Sequence, residues 1–114
     1  ISHSKLPTLK EHKAFVYSKP YRFWFLIKRS EDTIGSVYIT RYNEISIKLI
    51  KHNTKIYKDT LLLIIKNIKP LKGIASKRNK SFLINVSAKD KKQTNLLSKL
   101  RLQKIQETFK LDDL

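Results

Sequence analysis

Between Glu44 and Ile65 the chain passes from an alternating, strand-like pattern through a turn into a helical pattern. The turn, Lys51-His52-Asn53-Thr54-Lys55-Ile56-Tyr57-Lys58, contains no glycine. A strand that feeds a helix through a tight turn aims the helix's first backbone N–H groups at whatever lies in front of them, which makes such turns natural anion sites. A pyrophosphate reaches the main chain most easily where glycine removes the Cβ. This segment therefore has the layout of a phosphate cradle without its usual residues.

Composition sets the outer limits. A chain of 114 residues with 40% hydrophobic content supports one core, so a single domain over 1–114 is expected. With no cysteine, disulfides, thiolate zinc sites and a cysteine nucleophile are excluded. His3, His12 and His52 are scattered, and no metal site is expected from them. The longest apolar run, Leu61-Leu62-Leu63-Ile64-Ile65, is far shorter than the roughly 20 residues of a membrane span, and no cleavable leader is recognisable. A cytoplasmic protein with no membrane partner is the expectation. The formal charge of +16, from 25 basic and 9 acidic residues, suggests a polyanion such as nucleic acid. Against that stand the scarcity of arginine, with lysine supplying most of the positive charge, and the absence of aromatic residues from the densest basic stretch, 66–80.

Periodicity orders the elements. Thr8 and Glu11 form a capping box, and Leu9, Ala14, Phe15 and Val16 supply an apolar stripe, predicting a first helix over 8–18 that ends before Pro20. Phe23-Trp24-Phe25-Leu26-Ile27 is apolar on both faces and predicts a central strand covered from two sides. Residues 33–40 return as its hairpin partner, and Ile45, Ile47 and Leu49 alternate with Ser46 and Lys48 in a third antiparallel strand. A helix over 59–68, buried along its five-residue apolar run, is closed by Pro70 and Gly73. After a polar, flexible stretch over 69–80 come a fourth strand over 82–86 and a helix capped by Asp90 and Gln93 that carries Leu96, Leu97 and Leu100 on one face. A last strand is expected around Ile105 and Phe109.

The order of helix, three antiparallel strands, helix, strand, helix and strand resembles the GNAT acyltransferases, the acetyl-CoA-dependent N-acyltransferase family. Phe82-Leu83-Ile84-Asn85-Val86-Ser87-Ala88-Lys89-Asp90-Lys91-Lys92-Gln93, followed by Leu96-Leu97-Ser98-Lys99-Leu100-Arg101-Leu102, is similar to that family's C-terminal half. Ile34-Gly35-Ser36-Val37-Tyr38-Ile39 resembles its second hairpin strand, and Glu44-Ile45-Ser46-Ile47 the strand before its coenzyme loop. The likeness runs over about 8–109. It implies an α+β fold in which a mixed sheet, made of antiparallel hairpins and a parallel splayed pair, is flanked by helices. It also implies a domain lacking the family's first strand and helix. The family's coenzyme signature falls on Asn53, Ile56 and Lys58, so both of its glycines are replaced. A non-glycine residue forced into the left-handed region costs roughly 1–2 kcal/mol, which leaves either a differently shaped loop or one released from binding. Arg101 stands where the family ends its helix with glycine, and Leu97 where many members carry a proton-donating tyrosine.

By the same resemblance Glu44 takes the place of the general base that some members use toward the amine. Acetyl-CoA would lie along Leu49, Ile50, Lys51, Asn53, Thr54, Lys55, Ile56, Tyr57 and Lys58, with Asn85 and Asp90 on the far wall. Each residue also has a plain role: Glu44 as a strand-start residue, the lysines as solvated charges, Asp90 as a helix cap. Three functions stay open: transfer of an acetyl group from acetyl-CoA to an amine, a non-catalytic binding or assembly module on the same scaffold, and nucleic-acid binding. A sheet that lacks a strand leaves an open edge, and self-association across it is expected.

Overall fold

The computed structural model describes residues 21–112. The helix expected over 8–18 lies outside them, as do His3 and His12. Four strands, β1 (Tyr21–Arg29), β2 (Asp32–Thr40), β3 (Glu44–Leu49) and β4 (Leu83–Ile84), form one mixed sheet in that spatial order. The helices α1 (Thr54–Asn67) and α2 (Lys91–Lys99) complete a small α+β architecture.

Both hairpins form as the alternation predicts. β1 pairs antiparallel with β2, and β2 with β3 in the register Gly35↔Leu49 to Ile39↔Ile45. Gly35 is required by packing: a Cβ there would lie 2.5 Å from the Lys48 carbonyl oxygen, closer than β3 permits. β3 and β4 then run parallel, paired only at Glu44↔Leu83 and Ile45↔Ile84.

The core lies between one face of the sheet and the two helices. Val37, Ile39, Ile45 and Ile47 from the strands meet Tyr57, Leu61 and Ile64 of α1 and Leu96 of α2, all buried. The spacing of 57, 61 and 64 is one helical stripe, which is why α1 lies on the sheet. Its start is set by Asn53, whose Oδ1 accepts the Ile56 N–H at 2.9 Å. Its end is set by Ile68, extended in backbone and two residues before Pro70.

Six expectations are corrected. Trp24 is buried, but β1 is an outer strand of the described sheet with Phe25 and Leu26 exposed, while β2, buried continuously over 35–39, is the strand covered on both faces. α1 begins at Thr54 instead of 59, because Asn53 caps it and turns the supposed loop into helix. Of its five-residue apolar run only Leu61 and Ile64 are buried, since a helix resting on a sheet hides one stripe and leaves Leu62, Leu63 and Ile65 outside. The fourth strand shrinks to Leu83–Ile84, and no strand forms around Ile105 and Phe109. Ladders need a neighbour, and a two-residue edge strand offers almost none to extend. Finally, 69–80 is a built loop: Ile74 and Arg78 exchange backbone hydrogen bonds of 2.8 Å each way, with Ser76 at φ 64° turning the chain.

That loop is tied down by Asn43. Fully buried and at φ 61° in the turn between β2 and β3, Asn43 donates through Nδ2 to the carbonyls of Leu71 and Asn79, both at 2.8 Å. Its Oδ1 accepts the Leu71 N–H at 2.7 Å, and its main-chain carbonyl accepts from Leu83 N at 2.8 Å, where β4 starts. α2 ends in a complete left-handed cap: Arg101 N bonds Ser98 O at 2.9 Å and Leu102 N bonds Leu97 O at 3.2 Å, with Arg101 at φ 61°.

Asn43→Gly keeps the left-handed backbone and removes three side-chain hydrogen bonds, so we expect a loss of about 2–4 kcal/mol in urea unfolding. A loss of no more than a few tenths would contradict the anchoring role. Arg101→Gly relieves the strain of a side chain in the left-handed region and should stabilise by about 1 kcal/mol, read as a raised Tm.

Candidate functional site

Backbone alternation determines what β3 offers on its β4 side. Ile50 N donates to Ile34 O at 2.9 Å, so even-numbered residues of this strand face β2. Ile45, Ile47 and Leu49 therefore direct their N–H and C=O groups the other way. Ile45 is paired with β4, which ends at Ile84; Ile47 and Leu49 lie past that end, with no strand beside them among the described residues. An extended strand edge without a neighbouring strand is where a ligand with amide groups can pair as an added strand does.

Just beyond, α1 supplies its N-terminus. Asn53 occupies one of the four orphan donors, the Ile56 N–H, while the N–H groups of Thr54 and Lys55 have no acceptor within the helix. No acidic residue lies in the first turn. Lys51, Lys55 and Lys58 add positive charge around it, of which Lys55 is paired with Asp59 across one turn at 3.1 Å. Ile56 and Lys58 sit within α1; the described non-glycine residues at positive φ are Ser30, Asn43, Ser76 and Arg101. None of the residues 53–58 is therefore in the left-handed region. The donors and charges suit a phosphate group, and the side chains of Ile56 and Lys58 stand where glycine would leave room.

Glu44 lies at the other end of β3, five residue steps or about 17 Å away along the strand. Its Oε2 accepts from Asn85 Nδ2 at 2.8 Å, and its Oε1 lies 3.5 Å from the Thr40 hydroxyl. Thr40 Oγ1 in turn accepts the N–H groups of Tyr42 and Glu44. The carboxylate is half-buried and held from two sides, with no cation paired to it among the described residues. Asn85 is thus brought to Glu44, whereas Asp90 is not.

Asp90 caps α2, taking the Gln93 N–H on Oδ1 and the Gln93 side-chain amide on Oδ2, both at 3.0 Å. The Gln93 carbonyl oxygen accepts the hydroxyl of buried Tyr57, a bond that ties the first turn of α1 to the first turn of α2. Burial first, and the neighbouring Asp90 charge second, push the Tyr57 phenol up to about 12. Among the residues expected to hold the coenzyme, Tyr57 thus packs inward between the helices, while Ile50, Lys51, Lys55 and Lys58 remain exposed.

Sequence reasoning passed over two contributors. Asn43 was legible only as a turn residue; its role as anchor of the 69–80 loop depends on partners about 30 positions away. Tyr42 likewise gave no functional signal, yet it lines an open depression of about 720 Å³ together with Glu44 and the loop that carries Lys77, Arg78 and Lys80. Among the described residues no cluster of His, Asp or Glu could hold a metal, and no helix is long and apolar enough to cross a membrane. Compared with protein families, with curated proteins and with solved structures, the chain finds no match.

The raised Tyr57 value makes a pH prediction with a definite sign. Between the ordinary phenol value of 10.0 and about 12 the unfolded chain has lost this proton while the folded chain still holds it, so stability falls as pH rises through that window. Below pH 10 the contribution is fully present. Tyr57→Phe should remove this part of the alkaline decline in urea unfolding relative to the unmodified chain, and equal alkaline slopes for the two proteins would contradict it.

Proposed function

We propose that this chain is a GNAT-like N-acyltransferase domain that binds an acyl-CoA thioester, acetyl-CoA in the simplest case, and passes the acyl group to an amine. The observation that supports it is the parallel β3/β4 pair, hydrogen-bonded only at its beginning, whose longer strand runs on toward the N-terminus of α1 with no strand on its β4 edge among the described residues. Ligands of parallel strands bind at their carboxyl ends, in crevices of this sort.

In this reading Lys51, Lys55 and Lys58, with the N–H groups of Thr54 and Lys55, hold phosphate. Ile47 and Leu49 pair the amide-bearing arm. When bound, the coenzyme supplies a thioester carbonyl open to attack. Glu44 accepts a proton from the incoming ammonium, so that the free amine can form the new C–N bond as the C–S bond breaks. Asn85 fixes the carboxylate that does this. Leu97 has no proton to give the departing sulfur, which would leave as the thiolate and take up the second proton that the nitrogen sheds as the amide forms.

A second reading, a binding or assembly module on the same scaffold, is favoured by one specific feature. Asn53 already consumes the Ile56 N–H, and side chains occupy both glycine places, so α1 has fewer donors and less room than a working cradle. Acetyl-CoA separates the two. The acyltransferase reading expects a Tm that climbs with ligand concentration, reaching about 2.7 kcal/mol of stabilisation at a hundredfold excess over Kd, and abolished by charge reversal at Lys51, Lys55 and Lys58. A Tm unmoved by millimolar acetyl-CoA would overturn the acyltransferase reading.

A further inference from the structure

We infer that the 69–80 loop and the arginines packed against it form a surface that binds single-stranded nucleic acid through its phosphates. The loop carries Lys69, Lys72, Lys77, Arg78 and Lys80, and no Asp or Glu lies between Asp59 and Asp90. The fold then adds positive charge from elsewhere in the chain. Arg22, on β1, donates through Nη1 to the Lys69 carbonyl at 2.8 Å, and Arg78 donates through Nη1 to the Arg41 carbonyl at 3.1 Å. Three of the chain's five arginines are thereby gathered at one loop, across separations of 47 and 37 residues. Scarce in the sequence, arginine is concentrated here.

These charges are not cancelled within the described structure. Arg78 Nε also donates to the Lys72 carbonyl at 2.7 Å, so both stapling arginines bond main-chain carbonyls, which orient a guanidinium and leave its charge in place. No described carboxylate forms an ion pair with any of these cations. The four lysines and Arg41 are exposed. A Cβ on Gly73 would meet the Lys80 side chain at 3.0 Å, so the two limbs of the loop lie against each other and the main chain at Lys72 runs beside that at Lys80. Glu44, the one acid among the described residues lining the adjoining depression, already accepts a hydrogen bond from Asn85. Like charges gathered this way repel, and a polyanion offsets the repulsion while shedding its own counterions as it binds.

Tyr42 fits the surface to a single strand. The basic stretch 66–80 has no aromatic residue of its own, yet Tyr42, about half exposed, lines the same depression as Lys77, Arg78 and Lys80. Unpaired bases offer their faces for stacking on a phenol ring; in a duplex those faces are covered. The loop is also ready before anything binds. The Ile74–Arg78 exchange and the Asn43 side chain hold it, so little ordering entropy remains to be lost. This surface makes no use of the α1 N-terminus and stands apart from the acyl-transfer reading.

Fluorescence anisotropy of labelled oligo-U and oligo-dT of about 20 nucleotides, titrated with the full chain between about 50 and 200 mM KCl, tests the assignment. We expect both to bind, with log K falling linearly with log salt. The triple variant Lys72→Gln, Lys77→Gln, Lys80→Gln should lose at least about tenfold in affinity at low salt and lower the salt slope by about two, since each phosphate contact on a single strand contributes roughly 0.7. Lys91→Gln, Lys92→Gln, Lys99→Gln removes the same charge from exposed positions on α2 and should change both quantities far less. Tyr42→Ala should weaken binding by about fivefold or more with the salt slope unchanged, and a duplex of the same length should bind less tightly than either single strand. No binding at low salt, equal losses in the two triple variants, or a duplex preferred over the single strands would overturn the proposal. Acetyl-CoA is absent from this titration and nucleic acid from the Tm series at α1, so the two ideas fail separately.

Discussion

One buried amide holds three pieces of this chain together. Asn43 closes the turn between β2 and β3, clamps the 69–80 loop through Leu71 and Asn79, and starts the β4 ladder through Leu83. A buried side-chain amide left without partners would be costly, and here both of its polar atoms are used. Asparagine also tolerates the left-handed backbone at this turn better than a branched residue would. Its side chain thus fixes the 69–80 loop that leads into β4, while its main-chain carbonyl makes the first bond of the β3/β4 pair.

That pair in turn shapes everything proposed about function. Because β4 ends at Ile84 while β3 continues to Leu49, the later part of β3 has no strand on its β4 edge among the described residues, and α1 begins a few residues further on. On the opposite side of the same pairing, Glu44 is braced by Asn85 and overlooks a basic depression. The α1 N-terminus beyond one end of β3 and the Glu44–Asn85 contact at the other are the two features on which the proposed function rests.

Much of the fold could be read from residue spacing, and the misses share one cause. Alternation located β2 and β3, and the Asp90–Gln93 signature located α2, because each pattern is local. The helix start was misplaced because Asn53 was weighed as part of a loop and not as a cap. The run 61–65 looked buried because hydrophobicity says nothing of which side of a helix meets the sheet; only Leu61 and Ile64 do. β1 looked central because its aromatic residues are apolar on both faces, yet strand order is decided by pairing between segments. Of the site residues, Glu44 and Asn85 do meet, whereas Asp90 serves α2 and Tyr57 turns into the core.

By itself the sequence determined most of the elements: where alternation of period two gives way to a helical stripe, where Asp90 can cap, and that the chain carries a large positive charge. Those properties depend on neighbours a few residues apart. Only the tertiary structure decided that β4 lies parallel to β3 and stops early, that 69–80 is anchored, and that Glu44 meets Asn85. These arrangements depend on hydrogen bonds between residues roughly 28 to 41 positions apart, whose energies no local pattern encodes.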